Sequence, residues 1–143
     1  MVPHTQLELD RPSRTPADYF SYSSEVLKER VMSEHSMTSR GFDEAFTELK
    51  KFLLLSTTCE SLSMTSSKID AVWHEFIADK TEYAMFCQRF FGGYLAHVPA
   101  SDAAQSEATD GRFIATYTKR FGPLPEIWGD ATTTYCRFMV VRS

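Results

Sequence analysis

Two histidines, a cysteine and a tryptophan fall within one short stretch, "IDAVWHEFIADKTEYAMFCQRFFGGYLAHVP", running from Ile69 to Pro99. Imidazole nitrogen and thiolate sulfur are groups that zinc prefers, four in a tetrahedron for a structural site and three plus water for a catalytic one. His74, Cys87 and His97 supply three such groups, and Cys136 supplies a fourth. Their spacings of 13, 10 and 39 residues match no compact zinc-finger pattern. Free cysteine is also among the most buried residue types, so on residue types and spacing alone core packing is the leading account of the set and metal the alternative. Asp70 stands one turn before His74. It can accept from the second imidazole nitrogen and fix the tautomer, share a metal with it, or only cap the helix.

Helices must position these groups. Ile69, Val72, Trp73, Phe76 and Ile77 recur at three- and four-residue spacing, one apolar stripe along a helix. Ser66 and Ser67 are suited to cap its start, with Asp70 three residues after Ser67. After a break at "ADKT", the segment "TEYAMFCQRFF" turns Tyr83, Phe86, Cys87 and Phe90 to one face. Gly92 and Gly93 then suit a left-handed helix end. Earlier, "GFDEAFTELKKFLLLS" carries Phe42, Ala45, Phe46, Leu49, Phe52 and Leu53 at helical spacing. One helix is expected over Asp18–Ser33, with Val26, Leu27 and Val31 inward. "HVPASDAAQSEATDG" reads as a loop, and "RFIATYTKRF" as a fifth helix burying Phe113, Ile114 and Tyr117, stopped by "GPLP". Trp128 is expected to plug the core, and "YCRFMVV" to be a short strand or an extended lid. His4 and His35 read as exposed, Cys59 as half-buried, and "KERVMSEH" and the pair Lys50–Lys51 as solvated helix faces. The fold class is mainly α: one domain, residues 17–143, of about five helices with an irregular C-terminal segment, behind a flexible arm at 1–16.

Composition narrows the function. The chain has 143 residues, enough for one core without disulfides, and 43% hydrophobic and 13% aromatic residues to fill it. A net charge of -4 argues against a general electrostatic footprint for nucleic acid. No apolar run reaches the roughly 18–20 residues that span a bilayer, so no membrane is expected. The first residues lack a secretion-signal pattern. Three cysteines, an odd number, suggest a reducing compartment with thiols free or metal-bound, and a cytoplasmic location is expected.

The stretch from Ile69 to Pro99 resembles the glycine-rich domain-containing protein-like family, in the form of a small bacterial or phage-type member. The likeness lies in a "VDxxWH" helix start, then "TxxYxxFC", then "FGxxxxHxP", and "TYTKRFGPLPEIWG" with Cys136 resembles a closing "YxxxFGxxPxxxW…C". Asp70, Trp73, His74, Tyr83, Cys87, Gly92, His97 and Trp128 match. Phe76 stands where relatives often carry a second histidine, and the glycine-rich tail is missing, with only 6 glycines in the chain. The resemblance implies a fold and a zinc site at His74, Cys87, His97 and Cys136 rather than an activity.

No phosphate-cradling loop, nucleophile elbow or paired-acid signature is present. The leading expectation is a non-catalytic, zinc-stabilised protein-interaction module. A metal-dependent hydrolase is the alternative, with zinc open at His74, Cys87 and His97 and with Asp70 better placed than Glu75 as base. A small acidic viral inhibitor of a host nucleic-acid enzyme is a third reading.

Overall fold

The computed structural model describes residues 15–58, 62, 64, 66–99, 103–130 and 136–141. Within these the chain is mainly helical: α1 (Pro16–Ser21), α2 (Glu25–His35), α3 (Ser39–Ser56), α4 (Ser67–Ala78), α5 (Lys80–Phe91) and α6 (Ala103–Phe121). A 3-10 turn covers Glu126–Asp130, and two short strands, β1 (Tyr94–Pro99) and β2 (Cys136–Val141), pair antiparallel with Tyr94 opposite Val141 and Pro99 opposite Cys136. Most of the expected arm, residues 1–14, and Cys59 lie outside the described residues.

Local chemistry sets most boundaries. Ser24, Thr38, Ser66 and Asp79 each cap a helix start by accepting from the backbone N–H three residues on, which satisfies a donor that the first turn leaves open. Asp79 both ends α4 and starts α5, so the turn between them is one residue long. Gly92 closes α5 at φ 68°, as its lack of a Cβ allows.

Three expectations need correction. The single helix over Asp18–Ser33 is two, because Ser24 caps a fresh start and Tyr22 leaves the helical conformation. Val26 and Ile114, expected inside, are exposed. The expected loop after His97 holds the rest of β1 and the first half of α6; alanine, glutamine and glutamate favour helix without making an apolar stripe.

The core is aromatic. Trp73, Tyr83, Phe76, Phe86, Phe52, Phe113, Tyr117 and Trp128 are all essentially inaccessible to solvent. Trp128 plugs the core as expected and stacks on Phe52 at 5.7 Å between ring centroids. It also serves a charge. Glu48, on α3, is only 4% exposed, and its Oε1 accepts from the Tyr117 hydroxyl at 2.7 Å and from Trp128 Nε1 at 2.9 Å. Lys51 Nζ donates to Oε2 at 3.0 Å and to the Tyr117 hydroxyl at 3.3 Å, and it stands over the Tyr117 and Phe121 rings. A buried carboxylate is tolerated when its charge is paired and its oxygens are hydrogen-bonded. Glu48 therefore clamps α6 and the 3-10 turn onto α3.

Removing that carboxylate strands two buried donors and half-buries an unpaired ammonium. Glu48→Ala is expected to lower unfolding free energy by about 3 kcal/mol and Glu48→Gln by about 1 kcal/mol, since the amide oxygen still accepts. Urea denaturation followed by tryptophan fluorescence checks both values.

Candidate functional site

The expected metal residues fall on α4, α5 and the two strands. Cys87, on α5, is fully buried. Desolvation pushes its thiol pKa up, against smaller opposing effects of the Leu95 backbone and the neighbouring Tyr83 hydroxyl. Leu95 lies on β1 two positions before His97, and the strand register sets the backbone of Cys136 opposite Pro99, two positions beyond His97. Cys87 thus adjoins β1 at Leu95 while Cys136 pairs with its far end, four residues or roughly 13 Å along the strand; the side chains of His97 and Cys136 lie outside the described residues. His74 stands on the outer flank of α4, half-exposed, with Nε2 at 3.1 Å from Asp70 Oδ2. Asp70 is nearly buried. The carboxylate thus lies where it can orient the imidazole, and Ser66 caps the helix through Ile69. Among the described residues no group of three or more His, Cys, Asp or Glu is placed to hold a metal.

The same region holds a hydrogen-bond relay. Trp73 Nε1 donates to the Tyr83 hydroxyl at 3.1 Å, and that hydroxyl donates to the Leu95 carbonyl at 2.6 Å. Burial raises the Tyr83 phenol pKa well above its ordinary value, so it stays a donor at any physiological pH. The relay ties α4, α5 and β1 together and fixes the rotation of α5 about its axis.

With Tyr83, Phe86 and Cys87 locked inward, the opposite flank of α5 faces out. It carries Thr81, Glu82, Met85, Gln88 and Arg89. These residues, with Asp79, Tyr22 and Phe86, line an open groove of about 650 Å³. Met85 is 67% exposed. Below it, Tyr22 packs on Phe86 at 4.9 Å between centroids and donates from its hydroxyl to Glu82 Oε1 at 2.9 Å. The Arg89 guanidinium lies 4.5 Å from the centre of the Phe90 ring. An apolar floor, a flexible thioether at the mouth and charges at both ends are features of protein-contact surfaces.

Several residues depart from their sequence reading. Lys50, expected in solvent, is 3% exposed. Its Nζ donates to the carbonyls of Phe20 and Tyr22 at 2.6 and 2.8 Å and lies 4.9 Å from the Phe46 ring centre. The cation thus holds the end of α1 on α3, supported by the Tyr19 hydroxyl, which donates to the Lys50 carbonyl. Lys51 and Glu48 form the clamp described above. The available signal was position: Glu48 and Lys50 sit among the stripe residues Ala45, Phe46, Leu49, Phe52 and Leu53, where a charge needs an internal partner. His35 is exposed, as read, at the end of α2 and stands 3.5 Å from Glu75, which Arg30 also approaches at 4.0 Å. Glu75 is therefore engaged with α2 and away from the Asp70–His74 pair.

A family model described as UCP032817-like matches residues 14–118. No curated protein and no solved structure matches the chain. The family finding overturns the resemblance to the glycine-rich domain-containing protein-like family. The residues that carried that likeness include Trp73, Tyr83, Cys87 and Gly92, which the core, the relay and the helix cap require here on their own account.

Burial lowers the Lys50 pKa from 10.5 to about 8. Between those values the unfolded chain binds more protons than the folded one, so this group makes stability rise with pH. Above roughly pH 10 the tyrosines act oppositely, because Tyr19, Tyr22, Tyr83 and Tyr117 are raised by burial and ionise more readily when unfolded. The difference in unfolding free energy between wild type and Lys50→Met is expected to grow by on the order of 2 kcal/mol from pH 8 to pH 10. A difference flat with pH contradicts the assignment.

Proposed function

The chain belongs to the UCP032817-like family, and we propose that it is a non-catalytic helical protein-interaction module whose contact face is the outward flank of α5. The observation that carries this reading is Met85, exposed at the mouth of a groove floored by Tyr22 and Phe86 and edged by Asp79, Glu82 and Arg89. Long apolar side chains at the centre of a charged rim are what interfaces use as anchors. The relay through Tyr83 supports the reading, because a face held rigid before contact loses less entropy on binding. No helix among the described residues is long and apolar enough to cross a membrane.

Zinc stabilisation is a second part of the proposal, with Cys87, His97 and Cys136 around β1 and His74 from α4 as ligands. What supports it is Cys87 beside Leu95, two positions from His97 on β1. The buried Cys87 thiol would give up its proton on binding, so affinity would increase with pH. The hydrolase reading keeps one favourable observation, the carboxylate of Asp70 on His74.

A photo-reactive amino acid placed at position 85 is expected to give a discrete protein adduct in cells. The same group at the exposed position 114 is expected to give none. Equal labelling from both positions, or from neither, contradicts the interaction face. For the metal, elemental analysis is expected to find about one zinc per chain, and a strong chelator to lower the melting temperature by about 10 °C or more. A metal-free chain whose melt ignores the chelator removes zinc and leaves the interaction face standing.

A further inference from the structure

The outward flank of α5 is self-complementary. Met85 is its centre. Glu82 lies three residues before it and Arg89 four after, on one side of the flank; Thr81 and Gln88 occupy the other side at the same separation. Seven residues of α-helix separate Glu82 from Arg89, roughly 10.5 Å at 1.5 Å per residue. Both charges are held in place, Glu82 by the Tyr22 hydroxyl and Arg89 by the Phe90 ring.

We infer that the partner of this face is a second copy of the chain, joined through antiparallel pairing of α5 with α5 about a two-fold axis beside Met85. This deepens the proposed function and rests on it, since it names the occupant of the same groove. A two-fold axis crossing between antiparallel helices keeps each side of the flank facing the same side of its copy. Glu82 then meets Arg89 of the copy, and Arg89 meets Glu82, so one residue pair yields two ion pairs. On the other side Thr81 meets Gln88 twice, an alcohol against a primary amide, each able to donate and accept. At the centre the two Met85 side chains meet over the Tyr22 and Phe86 floors, where an unbranched thioether adapts to an irregular surface. Helix polarity agrees. The acidic end of α5 is its N-terminus and the basic end its C-terminus, so antiparallel pairing opposes the dipoles favourably as well as the side chains. A parallel arrangement would set Glu82 against Glu82 and Arg89 against Arg89.

Sedimentation equilibrium of the purified chain tests this. Wild type is expected to show a monomer–dimer equilibrium that tightens as salt is lowered. Glu82→Arg sets arginine at both 82 and 89, and Arg89→Glu sets glutamate at both; each alone is expected to weaken dimerisation about tenfold or more. An equimolar mixture of the two is expected to recover a dimer, because every cross-pair is again opposite in sign. Recovery in the mixture also shows that neither variant merely unfolds, and circular dichroism of each confirms its helix content. A wild type that stays monomeric to about 1 mM, variants that dimerise as wild type does, or a mixture that stays monomeric each overturns the inference. A monomeric wild type that still gives an adduct of another mass from position 85 overturns self-pairing alone, whereas the absence of any adduct removes the interaction face as well.

Discussion

One phenol inside the core decides what the surface presents. Tyr83 accepts from Trp73 and donates to the Leu95 carbonyl, joining two helices and a strand at a single oxygen. Leaving any of these groups unpaired in a dry interior costs about 1–3 kcal/mol, so the helix that carries Tyr83 has one favourable rotation. Met85 is two residues further on, nearly opposite on the helix. Locking the first inward puts the second in solvent, with Glu82 and Arg89 beside it.

Around that centre, buried charges act as local clamps. Glu48 draws Tyr117, Trp128 and Lys51 to one carboxylate and so brings the last helix and the 3-10 turn onto the longest helical segment of the first half. Lys50, two residues along, points to another side and holds the end of the first helix by two carbonyls. Adjacent lysines thus do different work. Both clamps join segments distant in sequence, and Tyr22, released from its helix by the Ser24 cap, reaches the groove because Lys50 fixes its carbonyl.

Much of this was legible from the residues. The stripe through Val72, Trp73 and Phe76 and the face of Tyr83, Phe86 and Cys87 gave two helices and their inward sides, and Gly92 marked the turn that follows. Periodicity reports which way a side chain faces, not what it meets there, so the partners of Glu48, Lys50 and Lys51 were out of reach. Two lysines in a row look like solvent-facing charge unless the stripe around them is given equal weight. The first half of α6 has helix formers but no stripe, and β1 is too short for its alternation to stand out from a loop. The likeness to another family rested in part on residues that the core, the relay and the helix cap use here. Position 85, a methionine between Ala84 and Phe86, carries no motif; its place opposite the relay is what puts it in solvent.

The central claim is that the relay through Tyr83 turns one flank of α5 outward as the face on which two copies of the chain pair. Hydrogen-exchange mass spectrometry of the chain at low and high concentration tests it most directly. The account expects added protection at high concentration in peptides covering Asp79–Arg89 and little change in α3 or α6. Protection that is unchanged there, or that arises on a different face, contradicts it.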